Sequence, residues 1–318
     1  MEPSELSRLV KGLGVEYRFD LIGVASADEL LTEEVARLKQ VGADGYLADM
    51  DYLTDRPERR ADPSLLLPNC QSVIVIGINY NRKVPASINE GEGRIARYAI
   101  NRDYHKVIKQ RLSDFVQQLQ TAIPDSPNVG FKIYVDTGPV MEKVWGAKAG
   151  LGFKGRSGLL VSPKIGTFFH LAVILTTLKI EPDKPVAHIS CGNCHRCVDA
   201  CPTQALMGDG RVNAGKCLTY HNVESSNPIP PDIETKFTEY LFGCDICQVV
   251  CPYNIRFGQP VNDNSMFGKP VLPPVVDLQE ILAMNDAGWS KFVAGSSLKR
   301  SSLERMKMVA GLIGKKQK

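Results

Sequence analysis

Eight of the nine cysteines in this 318-residue chain fall within one stretch of 61 residues, from Cys191 to Cys251. They form two runs that mirror each other. The first is Cys191-x2-Cys194-x2-Cys197-x3-Cys201-Pro202; the second is Cys217 followed by Cys244-x2-Cys247-x3-Cys251-Pro252. A C-x2-C-x2-C-x3-C-P run is the spacing that holds cubane 4Fe–4S clusters in pairs: three thiolates grip one cluster from a loop and the fourth reaches across to the other. On that pattern Cys191, Cys194, Cys197 and Cys251 take one cluster, and Cys217, Cys244, Cys247 and Cys201 take the second. Structural zinc and disulfides compete for such a segment. Zinc needs neither the third cysteine of a run nor the C-P endings. A disulfide framework suits small secreted chains, whereas this sequence is long and begins without a signal peptide. Cys70 stands apart, just before an apolar run, and reads as a small buried hydrophobe.

Length allows roughly two domains of ordinary size. With 43% apolar and 23% charged residues the composition is that of a globular protein. No run of 18 apolar residues occurs, so no membrane span is expected, and thiols held by iron point to the cytoplasm. The net charge of +3 is unevenly spread. Residues 299–318 hold Lys299, Arg300, Arg305, Lys307, Lys315, Lys316 and Lys318 against Glu304 alone, a net +6, which leaves −3 for the rest. Such a segment is either a solvated, frayed end or a contact for a phosphate backbone.

Strand and helix patterns alternate before the first cluster cysteine. Ser4 to Leu13 reads as a helix, Ser72–Asn79 as a buried strand, and Tyr104 to Ile123 as an amphipathic helix. Phe131, Ile133 and Val135 alternate with polar neighbours in a strand ending at Asp136. Pro139 then suits the first turn of a helix running to Ala149. Leu159–Val161 and Phe168 to Thr177 read as further strands. The expected division is an α/β domain over 1–181, an iron–sulfur domain over 182–260, and a Pro-rich bridge with a basic helical end over 261–318. Leu278 to Met284 is a helix there, and Ser301-x2-Glu304 reads as a capping box opening a helix through Ile313.

Two clusters alone make an electron carrier, and about 55–60 residues suffice for that. The long α/β segment therefore implies a site to which electrons are relayed. No G-x-G-x-x-G follows a strand, no phosphate loop occurs, and H-E-x2-H and G-x-S-x-G are absent. Gly150, Gly152 and Gly155 have the wrong spacing for a dinucleotide site. Asp103-Tyr104-His105 begins like the D-x-H-x2-G signature of cobalamin domains, but Ile108 stands where glycine is required, and the match reads as coincidence. Asp136, at a strand end before a Gly-Pro turn, is the candidate general acid; its bland alternative is a turn or N-cap role.

At these residues the chain resembles the epoxyqueuosine reductase family. Ala96–Ala99 with Asp103–Lys106 is similar to that family's A-R-Y-A…D-Y-H-K segment. Asp136–Glu142 through Ala149–Gly155 is similar to its D-[TS]-[GA]-P…A-G-L-G block, and Gly243–Gln248 through Cys251–Asn254 to its second cluster segment. The resemblance spans about residues 20–315. It implies an α/β N-terminal cobalamin-binding domain, a two-cluster bacterial ferredoxin-like module and a short helical C-terminus. It further implies reduction of epoxyqueuosine to queuosine at the wobble position of tRNA, with Asp136 as proton donor and cobalamin fed by two 4Fe–4S clusters. By position Arg59, Ala99, Asp136, Ser157 and Thr219 line the corrin site. The implied partners are epoxyqueuosine-containing tRNA and a low-potential electron donor, the protein acting as a monomer. Departures from the family text are Gly155-Arg156-Ser157 for G-K-N, and His221 and Asn222 after Tyr220. Many members continue into a helical repeat that helps hold tRNA, whereas this sequence ends at Lys318; in that context the basic segment is expected to contact phosphate. Two other readings compete: a related cobalamin and iron–sulfur reductase of a small molecule, such as a reductive dehalogenase, and a non-catalytic electron-transfer module.

Overall fold

An eight-residue strand buried along its whole length sits at the centre of this fold, and the sequence Ser72–Asn79 accounts for it: β-branched residues at every position from 73 to 76 can bury both faces. The computed structural model describes residues 1–123 and 128–317. The strands are β1 (Leu21–Ser26), β2 (Ser72–Asn79), β3 (Glu92–Ile95), β4 (Phe131–Tyr134), β5 (Phe153–Lys154), β6 (Leu160–Val161), β7 (Phe169–Thr176), β8 (Tyr240–Phe242) and β9 (Val275–Asp277). The helices are α1 (Pro3–Glu16), α2 (Thr32–Ala43), α3 (Glu58–Ala61), α4 (Tyr104–Ala122), α5 (Glu142–Lys148), α6 (Arg196–Ala200), α7 (Pro231–Glu234), α8 (Ile246–Val249), α9 (Pro252–Phe257), α10 (Leu278–Ala283), α11 (Asp286–Phe292) and α12 (Leu303–Gln317).

The main sheet has the order β1-β2-β7-β4, and every pairing in it is antiparallel. Side chains alternate across β2. Ile74, Ile76 and Ile78 face a core with Val10 of α1 and Ile108, Leu112 and Phe115 of α4. Val73 and Val75 face the opposite core with Trp145 of α5, Leu160 and Val173. Helix α5 begins at Glu142, not at Pro139 as the sequence pattern predicts. Residues 136–141 are instead an irregular loop, because Asp136 has a left-handed backbone (φ 62°) and Thr137 N–H folds back on Val135 O at 2.7 Å.

A second sheet, β8-β3-β9, draws its strands from three distant stretches, β3 pairing parallel to β8 and antiparallel to β9. Its core joins Ile95 and Ile100 to Phe237, Leu241 and Phe242, and to Met306, Val309 and Ile313 of α12. The boundaries expected at residues 181 and 260 are therefore crossed by a common core.

Helix α12 is capped by Ser302, whose Oγ accepts from Arg305 N–H at 3.1 Å; Ser301 is buried behind it. The basic segment is not a frayed end. Arg305 is buried and donates to Asn227 O, and Gln317 pins the helix end by donating to Glu92 O at 3.0 Å and accepting from Gly91 N–H at 2.8 Å. Lys299, Lys315 and Lys316 remain exposed, while Lys318 lies outside the described residues. Met306 is fully buried in this core. Replacing it by alanine should cost about 2–5 kcal/mol, read as a lower thermal midpoint; an unchanged midpoint would show α12 to be dispensable.

Candidate active site

Strand β4 delivers Asp136 to the sheet end where α4 begins. Asp103 caps α4, accepting from His105 N–H at 3.1 Å, and its Oδ1 also meets His105 Nδ1 at 2.8 Å. The opposite ring nitrogen, Nε2, lies 3.1 Å from Asp136 Oδ2, to which Tyr104 Oη donates at 2.9 Å. Arg300 Nη1 stands 3.6 Å from the same oxygen and Arg300 Nη2 donates to Glu224 at 2.9 Å. Asp136 thus sits among three donors, which offset the strain of its left-handed φ. The hydrogen bond from His105, against the cost of burial, holds the Asp136 carboxyl below the usual carboxylate range. His105 is moved the other way, raised first by its bond to Asp136 and then by Asp103. Within this pair the proton therefore favours the imidazole over the carboxyl. Asp103 and His105, whose D-x-H match reads as coincidence in the sequence, thus form the support of Asp136.

Two cavities meet at Asp136. The larger, about 240 Å³, is walled by Leu159, Leu160, Phe169 and Leu171 and shows polar atoms of Glu142, Lys143 and Thr167. Burial raises the Glu142 carboxyl to about 7, and among the described residues its Oε1 has no hydrogen-bond partner. His170, stacked on Tyr104 at a centroid distance of 4.0 Å, is pushed by burial down to about 3, and its Nε2 likewise has no partner among the described residues. The smaller cavity, about 180 Å³, is formed by Tyr98, Thr219, Glu224, Phe242, Ser297 and Arg300 among others. Of the residues expected to line a corrin site, Asp136 faces both cavities and Thr219 the smaller one. Arg59, in α3, and Ser157, in the turn between β5 and β6, are not among the residues lining either cavity, and Ala99 is fully buried. Glu142 closes the family-like block that begins at Asp136 but was assigned no role in the sequence, and Glu224 and Arg300 carry no motif and emerge only when the chain is folded.

The eight thiols fall into two neighbourhoods. Cys197 feels the charges of Cys191 and Cys251, and Cys251 those of Cys191 and Cys194. Cys244 and Cys247 each feel Cys217 and Cys201. Among the described residues no three His, Cys, Asp or Glu side chains converge as a single ion requires; a cubane instead asks four thiolates to surround a cluster-sized space. Backbone N–H groups already point at sulfur: Arg156 N–H at 3.5 Å from Cys191 Sγ and Ala205 N–H at 3.3 Å from Cys201 Sγ, the kind of contact that tunes cluster potential. Cys201 and Cys251 share one extended backbone, φ −68° with ψ 113° and 124°, as the following prolines demand. Cys70 is half-buried, with its thiol raised by burial to about 11.

Residues 190–254 match the profile described as 4Fe-4S double cluster binding domain, and residues 60–137 that described as Epoxyqueuosine reductase QueG, DUF1730. The chain is 35% identical to an epoxyqueuosine reductase of Cyclobacterium marinum over 94% of its own length and 93% of that protein's. The chain belongs to the epoxyqueuosine reductase family. Another epoxyqueuosine reductase, from Synechocystis, is 37% identical over 88% of this chain and 95% of its own. The solved epoxyqueuosine reductase from Streptococcus thermophilus superimposes with a TM-score of 0.85 at 27% identity, over 96% of this chain and 80% of that one. An epoxyqueuosine reductase solved with an epoxyqueuosine-modified tRNA-Tyr stem loop gives the same score and identity over 98% and 80%. As in the reductases of known structure, the fold is mixed α/β with a double-cluster segment and a helical C-terminus.

Proposed function

We propose that this chain reduces epoxyqueuosine to queuosine at the wobble position of tRNA, using two 4Fe–4S clusters and cobalamin. The observation that carries the reading is Asp136, held among His105, Tyr104 and Arg300 where two cavities meet, in a chain that shares 35% identity with an epoxyqueuosine reductase over nearly its whole length. Removing the epoxide oxygen as water consumes two electrons and two protons and leaves a carbon–carbon double bond. The larger cavity suits a ligand with a broad apolar face and an amide rim: leucine and phenylalanine walls supply the first, and the unpartnered Glu142 Oε1 and His170 Nε2 suit the second. Bound there, cobalamin would supply low-potential cobalt able to open the epoxide.

The chain's own groups move the protons. Asp136 gives a proton to the epoxide oxygen as the C–O bond breaks, and His105 reloads it across the 3.1 Å Nε2–Oδ2 contact. Asp103 fixes the imidazole by its bond to Nδ1. A Bacillus subtilis epoxyqueuosine reductase, 25% identical with a TM-score of 0.85, is described with its catalytic aspartate loop swung out of the active site. The left-handed backbone at Asp136, followed by Gly138 and Pro139, supports such a movement here.

Cluster order follows from chain position. Thr219 and Phe242 border the smaller cavity, two residues from Cys217 and Cys244 respectively. The second cluster, on Cys201, Cys217, Cys244 and Cys247, therefore stands next to the reaction site, and the first, on Cys191, Cys194, Cys197 and Cys251, takes electrons from an external low-potential donor. On this reading residues 1–181 hold the cofactor, 182–260 the clusters, and 261–318 close the second core. Among the described residues no helix is long and apolar enough to cross a membrane.

Anaerobic reconstitution with iron, sulfide and cobalamin, followed by nucleoside analysis of epoxyqueuosine-containing tRNA, tests the function; epoxyqueuosine left unchanged would refute it. The proton assignment makes its own prediction. His105 is raised, so it keeps its proton to a higher pH than an ordinary histidine and loses it as pH climbs through that raised value; turnover should fall on the alkaline side. In His105→Asn the proton must come from Asp136 alone, and the fall should move about one unit or more toward acid. A pH profile of kcat that does not move would remove His105 from the relay.

A further inference from the structure

The smaller cavity has the composition of a nucleobase pocket. Tyr98 and Phe242, with ring centroids 6.0 Å apart, and Tyr104 give it aromatic surface, and Asp136 marks its reacting end. Its polar equipment is specific. Glu224 Oε2 accepts from Arg300 Nη2 at 2.9 Å, while among the described residues no hydrogen bond engages Glu224 Oε1. Arg300 holds its remaining donors between Glu224 and Asp136. Ser297, 5% exposed, lines the same cavity with an Oγ that has no partner. An unpaired buried hydroxyl is costly, and a polar ligand is the ready remedy. Proteins that read single-stranded RNA stack a splayed base on aromatic rings and bond its edge.

The geometry points to Glu224 as the residue that reads the base: its free carboxylate oxygen accepts from the N1–H and 2-amino edge of a 7-deazaguanine ring, and Arg300 donates to the O6 of the same ring. This rests on the reading of modified tRNA as substrate, and it names what in that substrate is recognised. A carboxylate accepts from base N–H donors and a guanidinium donates to a ring carbonyl, so the two side chains match the donor–donor–acceptor order of a guanine-type edge.

The test is binding, measured by fluorescence anisotropy with the iron–sulfur protein in the absence of reductant. Two anticodon stem-loops are compared, one with 7-deazaguanine at the wobble position and one with 7-deazahypoxanthine, which lacks only the 2-amino group. The wild-type protein should prefer the first by about tenfold or more. In Glu224→Gln the preference should fall to about twofold or less. An undiminished preference in Glu224→Gln, or none in the wild type, would overturn the assignment while leaving the tRNA reading intact. Failure of the wild-type protein to bind either stem-loop would overturn both together.

Discussion

Asp136→Ala protein is expected to bind both clusters and cobalamin as the wild type does, yet to lose turnover by about 10²- to 10⁴-fold, the usual contribution of a positioned acid. The side chain is partly exposed at the meeting point of two cavities and belongs to no hydrophobic core, so its removal should leave folding unharmed. Its loss also frees His105 of the bond that most raises it, so the imidazole should titrate closer to its ordinary range. Single-turnover reduction of epoxyqueuosine-containing tRNA gives the rate, and absorption spectra of the clusters and of bound cobalamin check the rest. A variant that reduces the epoxide at the wild-type rate would end the role assigned to Asp136.

The second large effect is expected at the inner cluster. Cys244 and Cys247 are half-buried, with thiols raised above their ordinary value by desolvation, so without a metal they are neutral groups in a space built for charged ones. Cys244→Ala should remove about half of the bound iron and abolish turnover, because the cluster it holds is the one beside Thr219 and Phe242. Cys194→Ala should also remove about half of the iron, but it leaves the inner cluster in place. A strong chemical reductant supplied directly should then restore part of its turnover and none of that of Cys244→Ala. Equal rescue of both variants would discard the proposed order of electron flow.

How much of this was legible in the sequence depended on how local each cause was. Cluster ligation fixes cysteine spacing along the chain, so a double-cluster segment could be read before folding, and the turn prolines fix the extended backbone at Cys201 and Cys251. Asp136 was legible because alternation through Phe131, Ile133 and Val135 ends at it. The start of α5 was not, because Pro139 fits a helix start while the left-handed turn at Asp136 delays it to Glu142. The cap of α12 shifted from Ser301 to Ser302, since two adjacent serines offer the same chemistry and the core beneath decides between them. Glu224 and Arg300 lie 76 positions apart, and their meeting over Asp136 is a product of tertiary packing. The basic composition of residues 299–318 was read as a surface property. Arg300 and Arg305 are instead spent on internal partners, which no local pattern announces.

The small sheet β8-β3-β9 has a consequence for how the protein responds to loss of iron. Its middle strand ends three residues before Tyr98, and β8 ends two residues before Cys244. Metal binding that favours the folded form also stabilises whatever folds with it. Iron depletion should therefore be felt beyond electron supply, loosening the aromatic walls on which an RNA base would rest and coupling metal occupancy to the grip on the anticodon.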